Sequence, residues 1–482
     1  MWNRILSLLI ALAVSLLGML GIVLPGSRSP LCDPAQLTVS NGNRIMLEQG
    51  FVLQAWVPSE DSGERCIPAD TLKELGFGPT YYGENMFNTP LHQEGPDLIW
   101  SIAKAPNNVN AVGGLPTGEE WLTAEQQAYA ETLIAACFGD EQGYSSEQAK
   151  VLAQWYADMR TRHPDVLLHS NQYAGQWSRA QYKEYMRVAK PDMLTMDSYY
   201  FDRIGSIRDC DVGKVVADAI NTVRLPAIAG YDGSGREPIP FGQYLLGYKT
   251  GENSAGTGEY EITQSQKNLV ANLTVTMGGK WLNLFRIIYA PSMFLLFDEN
   301  GQPTRHFEEY AAINKQIMTL SDQLVKLQTT DVQVVPGEHM LWKFPLANGL
   351  PKTVNPFCAN KDFHLADIAV KNEGAQNNGL PGDVYIGYFA TLPGVTFESG
   401  KARQYFIVCS ALTSGNGLLP AEQHGSAAET AQTITLTAAD VPVGKTLYAV
   451  SGETGAGSAV SLANNTHSFT LGGGEMQVFY WE

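Results

Sequence analysis

The sequence predicts an α/β chain in which a (β/α)8 barrel is followed by an antiparallel β-sandwich. Two patterns along the 482 residues support this prediction. Between Gly50 and Gln328, short apolar runs alternate with longer helical stretches, whereas from Val332 onward short alternating runs are separated by Gly, Asn and Pro. The chain is also too long for one ordinary hydrophobic core, so two folded units are expected.

The first unit contains eight strand candidates with helices between most of them. Regular alternation implies parallel strands, and eight repeats over roughly 280 residues is the size of a TIM barrel. A doubly wound open sheet would normally carry a Gly-rich phosphate turn after its first strand, where this chain has Trp56-Val-Pro-Ser-Glu60. The predicted strands are 51–57, 77–82, 109–113, 133–138, 166–170, 193–197, 226–230 and 281–285.

The helical stretches between these strands complete the barrel pattern. They cover 69–75, 124–132, 146–162, 179–189, 212–223 and 263–277, and a further helix over 307–328 closes the barrel. The second unit has strand candidates at 383–389, 404–409, 432–437, 446–450 and 476–481, with turn residues between them. This spacing is typical of a β-sandwich. The predicted domains are therefore a barrel over 50–328 and a sandwich over 329–482.

The first 30 residues read as a signal peptide or an N-terminal membrane anchor. After Met1-Trp-Asn-Arg4, residues 5–24 are almost wholly apolar, which is about long enough to span a bilayer and longer than a usual signal-peptide core. No Ala-x-Ala cleavage site follows, so an uncleaved anchor is favoured, with residues 31–49 as a lead-in. In either case the folded part is expected outside the cytoplasm, secreted or membrane-anchored.

Composition narrows the classes of partner. The chain has 49 acidic against 32 basic residues, a formal net charge of -17, which argues against nucleic acid because phosphate binding needs concentrated positive charge. Its 8 histidines include no H-x-H or H-E-x-x-H motif, so neither a metal nor a cofactor is predicted. The six cysteines form no C-x-x-C pair, and Cys358 with Cys409, or Cys32 with Cys66, are the candidate disulfides.

Candidate site residues lie where predicted barrel strands end, because barrel enzymes build their sites from the loops at that rim. Acids, amides and aromatics converge there, as a sugar site requires: rings stack on aromatic faces, and glycosidic cleavage uses two carboxyl groups. The aromatics could instead be rim packing, and Asp197 could cap a turn. The candidates are Trp56, Tyr82, Asn85, Asp140, Glu141, Asn171, Tyr173, Asp197, Tyr199, Asp232, Trp281 and Asn283.

Several of these segments, taken in order, resemble a known family. They are Gly139-Asp-Glu141 after strand four, His163-Pro164 before strand five, Asp192-Met-Leu-Thr-Met-Asp197-Ser-Tyr199 at strand six, 261–266 with 277–281 before strand eight, and 295–303 after it. The likeness is to clan-A (β/α)8 glycoside hydrolases, broadly near the β-galactosidase-like family 42. It covers roughly residues 50 to 328, with a β-sandwich appended.

The resemblance implies a glycoside hydrolase that acts on an extracytoplasmic oligo- or polysaccharide. It implies that Glu141 is the general acid/base. The clan's second carboxylate ends strand seven, where Asp232 is favoured over its rivals Glu237, Glu259 and Glu261. Asp140 stands where the clan usually has an Asn that contacts the substrate's 2-hydroxyl.

Two alternatives stay open at this point. The reaction could retain or invert the anomeric configuration, according to the separation of the two carboxyl groups. Because no Glu ends the predicted strand seven, the chain could also be a non-catalytic carbohydrate-binding protein on a degenerate barrel.

Overall fold

The computed structural model describes residues 33–57, 67–82, 86–103, 120–201, 207–249, 261–287, 294–414 and 427–482. Statements on the structure refer to these residues. The predicted N-terminal segment 1–30, the predicted strand 109–113, and Cys32, Cys66, Asn85 and Glu259 lie outside them.

Eight parallel strands close into a barrel, as the sequence predicts. The barrel closes where β1 pairs with β8, from Val52 opposite Trp281 to Ala55 opposite Leu284. The strands are β1 (Val52–Trp56), β2 (Gly78–Tyr81), β3 (Trp100–Ala103), β4 (Leu133–Asp140), β5 (Leu167–Tyr173), β6 (Leu194–Asp197), β7 (Phe241–Leu246) and β8 (Trp281–Phe285).

Helices surround the barrel and precede it. They are α1 (Asn41–Gln49), α2 (Ala69–Leu75), α3 (Thr89–Glu94), α4 (Ala124–Gln127), α5 (Ser146–Arg162), α6 (Arg179–Ala189), α7 (Val212–Ala229), α8 (Gln264–Thr276) and α9 (Arg305–Leu324). Short 3-10 turns cover Pro34–Gln36, Ala130–Thr132, Asp209–Asp211, Gln376–Gly379 and Ala427–Thr430.

The N-terminal helix α1 covers the amino ends of the barrel strands. Ser40 caps it, accepting a hydrogen bond from the main-chain N–H of Asn43, and both side chains donate to the carbonyl of Pro238 just before β7. Beside them, Lys280 Nζ donates to Asn43 Oδ1 and to the carbonyl of Val325, each at 2.8 Å. Among the described residues this end of the barrel is therefore covered, and the cavity opens at the opposite end.

Two predicted strands are corrected by the structure. The run 226–230 is not strand seven but the last turn of α7 and its cap, because Val216, Ile220, Val223 and Ala227 form one buried helical stripe. The true β7 begins at Phe241. The third strand is the four-residue segment β3, which precedes the predicted run 109–113.

The second unit is a β-sandwich, which confirms the predicted fold class. A seven-stranded sheet, in the order β12-β9-β14-β15-β20-β17-β18, faces a three-stranded sheet, β13-β16-β19. The strands are β9 (Leu327–Val335), β10 (Glu338–Leu341), β11 (Phe344–Ala347), β12 (Asn355–Pro356), β13 (Leu365–Asn372), β14 (Val384–Thr391), β15 (Gln404–Ser410), β16 (Gln432–Ala438), β17 (Leu447–Val450), β18 (Gly457–Ala459), β19 (Thr466–Leu471) and β20 (Met476–Trp481).

The outer face of the larger sheet packs on helix α8 of the barrel. Every residue of α8 from Ser265 to Thr276 is buried, and Asn272 donates to the carbonyl of Gly474 at 2.9 Å. Tyr385 and Ile407 of the sheet belong to the same hydrophobic cluster as the barrel core. The barrel and the sandwich are therefore joined by a continuous core.

Two other features of this unit bear on the sequence predictions. Cys358 and Cys409 are both free thiols, so the disulfide considered between them is wrong: Cys409 is buried in β15 and Cys358 is exposed. Strands β10 and β11 form a separate hairpin whose tip, Trp342, is 91% exposed.

None of the helices in the described ranges has the length and apolarity of a membrane span.

Candidate active site

A cavity of about 380 Å³ opens at the carboxyl ends of the barrel strands. Its size is that of a small-molecule site. Its lining combines three acids with a wall of aromatic rings, which is the composition expected from the strand-end residues. The lining residues are Trp56, Thr80, Tyr81, Tyr82, Ser101, Ile102, Ala103, Cys137, Asp140, Glu141, His169, Asn171, Asp197, Tyr199, Tyr244, Trp281, Phe285 and Arg286.

Strand β4 ends in an irregular turn that presents the acidic pair. The register between β4 and β5 shifts between Cys137 and Asp140, as at a β-bulge, and Gly139 has φ 113. Glu141 itself has φ 50, a left-handed conformation that costs a non-glycine residue about 1–2 kcal/mol. Bulges of this kind re-aim side chains beside active sites. Here the bulge brings Asp140 and Glu141, neighbours in sequence, to the same cavity.

Strand β5 and the loop after it hold Glu141 in this conformation. Its main-chain N–H donates to the carbonyl of Asn171 at 2.9 Å, and Gln176 Nε2 donates to its carbonyl at 2.7 Å. The next peptide is fixed too, because Trp177 Nε1 donates to the carbonyl of Gln142 at 2.8 Å. A strained conformation persists only where its surroundings over-determine it, and these bonds supply that constraint.

Asp197, the last residue of β6, supplies the carboxyl group that pairs with Glu141. Its side chain hydrogen-bonds with the Glu141 carboxyl group and is only 7% exposed. Burial, followed by the hydrogen bond and charge of Glu141, raises the pKa of Asp197 to about 7. Two carboxyl groups in contact cannot both ionise freely, so Asp197 keeps its proton up to near neutral pH.

Asp140 is the third acid of the cluster and is linked to Asp197 through one amide. Asn171 Nδ2 donates to Asp140 Oδ1 at 2.9 Å and to Asp197 Oδ1 at 3.0 Å. Burial and the charge of Glu141 raise the pKa of Asp140, while the bond from Asn171 lowers it. The three acids therefore form one electrostatic unit.

Aromatic rings form the walls of the cavity. Trp56 packs against Phe285 at a centroid distance of 5.6 Å, and Tyr199 packs against the same ring at 5.7 Å. Tyr244 of β7 meets Trp281 edge-on at 5.1 Å. These faces offer apolar platforms of the kind on which sugar rings stack.

The phenols around the acids remain protonated donors. Burial, and then the charge of Asp140, raises the pKa of Tyr82 to about 12. The pKa values of Tyr199 and Tyr244 are raised further, first by burial and then by nearby acids and other ionisable groups. Neutral hydroxyl groups are suited to hydrogen bonds with ligand oxygens.

A histidine and an arginine also line the cavity. His169 is buried, with Nδ1 2.9 Å from Thr195 Oγ1, and burial lowers its pKa to about 3, so the ring is neutral at physiological pH. The Arg286 guanidinium lies over the Trp56 ring at 5.2 Å. Below them the floor is polar: Gln54 Oε1 accepts from Ser101 Oγ and from Trp281 Nε1.

The structure brings most of the predicted site residues together. Eight of them line the cavity: Trp56, Tyr82, Asp140, Glu141, Asn171, Asp197, Tyr199 and Trp281. Asn283 is buried beneath it and donates to Thr80 Oγ1 at 2.9 Å. Tyr173 stands outside the lining set, at the end of β5, with 48% of its surface exposed.

The prediction that Asp232 ends strand seven is wrong. Asp232 lies in the connection from α7 to β7, at the amino ends of the strands and opposite the cavity. It is exposed, and its side chain accepts from the main-chain N–H of Ser234 at 2.8 Å and from Arg236 at 3.4 Å. The misplaced strand caused this error.

The described rivals of Asp232 do not replace it. Glu237 is exposed in the same connection as Asp232. Glu261 is held by Lys249 at 2.7 Å and by Arg305 at 3.0 Å, and a hydrogen bond from His306 is the main reason its pKa lies far below the usual range. Strand β7 ends in Leu246 and contributes Tyr244 to the cavity.

Sequence reasoning missed several residues of this site. Phe285 is the last residue of β8 and Arg286 follows it, so both lie at a strand end, where site residues were expected. Tyr244 lies in β7, whose position the sequence analysis did not predict. Gln176 and Trp177 act through hydrogen bonds to main-chain atoms, which leave no signal in the sequence. In the described part of the chain, no group of three or more His, Cys, Asp or Glu side chains is arranged to hold a metal ion.

Comparison with known proteins gives matches at the level of fold alone. No protein-family model matches the chain, and no curated protein does. The chain is similar to the structure of a 4-O-α-L-rhamnosyl-β-D-glucuronidase from Fusarium oxysporum, with 10% identity, coverage of 95% of this chain and 98% of that chain, and a TM-score of 0.40.

Two further structures show the same degree of likeness. A GH30 endoxylanase from Clostridium papyrosolvens has 9% identity, coverage of 90% and 96%, and a TM-score of 0.37. An Anoxybacillus α-amylase has 10% identity, coverage of 86% and 88%, and a TM-score of 0.38. These likenesses concern the fold and do not extend to an activity.

Proposed function

We propose that the protein is a glycoside hydrolase whose catalytic pair is Glu141 and Asp197. The observation that carries this proposal is the contact between the two carboxyl groups inside an aromatic-walled cavity. Glycosidic cleavage requires one protonated and one ionised carboxyl group beside the scissile bond, and a coupled pair that retains one proton meets that need. Aromatic faces and neutral hydroxyl donors suit a sugar ring.

The different exposure of the two carboxyl groups suggests their roles. Asp197 is buried within the cavity, so it faces the anomeric carbon of an enclosed sugar, whereas Glu141 is exposed at the mouth, where a leaving group would depart. On substrate binding, the proton that Asp197 holds passes across their hydrogen bond to Glu141. Glu141 donates it to the glycosidic oxygen as the bond between that oxygen and the anomeric carbon breaks. Asp197 attacks the anomeric carbon and forms a glycosyl ester.

Water completes the cycle. Glu141, now ionised, takes a proton from a water molecule as the water oxygen bonds to the anomeric carbon. The bond between that carbon and Asp197 breaks, and the Asp197 carboxylate leaves. Hydrogen-bonding contact is closer than the roughly 6.5–9.5 Å at which an inverting pair admits water, which favours retention of configuration, with the two side chains moving apart to about 5–5.5 Å as the sugar enters.

The substrate is proposed to lie outside the cytoplasm. The apolar run at residues 5–24 is the support, since it is about long enough to span a bilayer. Fractionation of cells that express the full chain, with protease added to intact cells, tests this. Protection of the folded part from protease in intact cells, with release on lysis, would contradict an extracytoplasmic location.

Substitution of each acid tests the catalytic pair. Glu141→Gln and Asp197→Asn should each lower turnover of a responsive aryl glycoside by about a thousandfold or more, because each removes a carboxyl group the reaction needs. Asp232→Asn is the matched control and should leave turnover unchanged. The assay is release of the aryl group from a panel of glycosides, with product anomers followed by NMR.

The outcomes separate hydrolysis from binding. Full activity in either Glu141→Gln or Asp197→Asn would refute the assigned pair. Binding of oligosaccharides without turnover of any glycoside would show instead the carbohydrate-binding protein that the sequence left as an alternative. An inverted product would contradict the nucleophilic role of Asp197 while leaving the hydrolase intact.

A further inference from the structure

Asn171 contacts all three acids of the cavity, through side-chain and main-chain atoms. Its Nδ2 donates to Asp140 and Asp197, at 2.9 and 3.0 Å, and its carbonyl accepts the main-chain N–H of Glu141 at 2.9 Å. The residue is 3% exposed and sits in the middle of β5, where strand pairing fixes its backbone. One buried residue therefore contacts the carboxyl groups of both aspartates and the main chain of the glutamate.

The amide of Asn171 has little left to offer a ligand. An Asn side chain carries two N–H donors, and both are used by the two aspartates. Its Oδ1 is buried away from the cavity surface and has no hydrogen-bond partner in the described structure. The expectation that Asn171 binds substrate therefore conflicts with its geometry, although it lines the cavity.

We propose that Asn171 is a positioning residue that keeps Asp140 and Asp197 in place and sets the protonation of the cluster. The proposal rests on the function proposed above. Burial and mutual repulsion favour the protonated forms of the aspartates, whereas a hydrogen bond donated to a carboxylate favours its ionised form. By donating to both aspartates, Asn171 opposes their protonation and leaves the pair of Asp197 and Glu141 to share one proton.

The decisive variant is Asn171→Leu, which has a similar volume and no donor. The pKa values of Asp140 and Asp197 should rise by about one unit, since each loses a hydrogen bond to its charged form. The pH optimum of kcat/KM should move to higher pH by a similar amount. We expect kcat to fall about ten- to a hundredfold through misplacement of the acids, with KM changed less than about threefold.

Two further variants complete the set. Asn283→Leu removes another buried amide beneath the cavity, one that donates to Thr80 and to no acid, so it should leave the pH optimum in place. Asn171→Thr keeps one donor, so its shift should be smaller than that of Asn171→Leu. It also provides a test if Asn171→Leu fails to fold, as thermal unfolding of each variant would reveal.

Carboxyl titration by NMR separates this inference from the proposed function. Asp140 and Asp197 are titrated in the wild type and in both Asn171 variants, with no substrate present. Raised carboxyl pKa values together with a shifted pH optimum would support the positioning role. If the Asn171 variants show raised carboxyl pKa values but the wild type hydrolyses no glycoside, the role of Asn171 is supported and the proposed hydrolase activity is refuted. Unchanged titrations, or a rise in KM with an unshifted pH profile, would overturn the positioning role.

Discussion

At the residue scale, the chemistry depends on one proton shared between Asp197 and Glu141. Burial and the neighbouring carboxyl group raise the pKa of Asp197 from its ordinary 3.8 to about 7. The Asp140 carboxylate, with its own pKa raised, adds to this effect because it is a nearby like charge. The site is thus prepared for acid–base chemistry near neutral pH.

The first prediction concerns the pH dependence of turnover. As pH rises through about 7, the pair loses its proton and with it the general acid, so kcat/KM should fall on the alkaline side. A pH–rate profile on an aryl glycoside, with buffers matched in ionic strength, measures this limb. In Asp197→Asn the limb near pH 7 should disappear from the residual activity. A wild-type profile that stays flat from pH 6 to 9 would contradict the shared proton.

A second prediction follows from the same shift in the free energy of unfolding. The folded-state pKa of Asp197 is raised, so its stabilising contribution is present below about pH 4 and is lost as pH rises through about 7. At pH 8 the folded state therefore holds a buried carboxylate at a cost. Asp197→Asn should raise the free energy of unfolding at pH 8 by about 1–3 kcal/mol while it lowers turnover by about a thousandfold or more.

Urea denaturation at pH 5 and pH 8 measures this change. The gain in Asp197→Asn should be larger at pH 8 than at pH 5, because the wild-type carboxyl group is largely protonated at the lower pH. Asp232→Asn is the control, since that exposed residue should change stability little at either pH. A lower free energy of unfolding for Asp197→Asn at pH 8 would contradict the view that the buried Asp197 carboxylate destabilises the folded state.

At the element scale, the hairpin of β10 and β11 is an exception among the strands. Within the described residues it is paired to neither sandwich sheet. Its exposed apolar side chains are Trp342, Met340, Leu341, Phe344 and Leu346. Trp342 also has φ 63, in the left-handed region that bulky residues avoid. The folded structure gains little from this side chain.

Trp342→Gly should therefore be tolerated. Relief of the left-handed conformation offsets the greater chain entropy of glycine, so the free energy of unfolding should change by less than about 1 kcal/mol. Trp481→Gly is the matched control: Trp481 is buried in the sandwich core and donates to the carbonyl of Phe363 at 2.7 Å. Removal of its ring should cost about 3–5 kcal/mol. Denaturant unfolding of both variants decides whether Trp342 supports the fold.

Some strands could be predicted from the sequence and others could not. Strands such as β1, β4 and β8 were placed within a few residues because apolar runs bounded by turn residues coincide with real strands. The predicted position of strand β7 is wrong because the apolar turn at the end of α7 resembles a buried strand when read alone, and the helix continues through Pro226. Periodicity over the whole of α7 would have resolved the ambiguity.

The wrong position of strand seven also affected the candidate site, because it led to Asp232 as the second carboxylate. Asp197 and Glu141 were both identified as strand-end acids, yet their partnership was not, because the resemblance pointed to strand seven for the second carboxylate. The contact depends on the bulge after Cys137 and on the left-handed Glu141, which are tertiary features. Residue types and strand ends could be read from the sequence, whereas the pairing of side chains could not.

At the scale of the whole molecule, barrel and sandwich behave as one packed body. Helix α8 is buried on all sides because the barrel covers one face and the seven-stranded sheet covers the other. The two units approach each other closely at Gly387 of β14, where an added Cβ would lie 1.8 Å from the carbonyl oxygen of Thr276 at the end of α8. This contact requires glycine.

Gly387→Ala should consequently destabilise both units together. Separation of the sheet from α8 by a methyl group should cost about 1–3 kcal/mol or more. If the two units share one cooperative core, calorimetry should show a single transition that moves to lower temperature as a whole. Gly143→Ala is the control, because its added Cβ would meet nothing within 4 Å. Two transitions, only one of which shifts in Gly387→Ala, would show that the barrel folds independently of the sandwich and that the cavity does not depend on it.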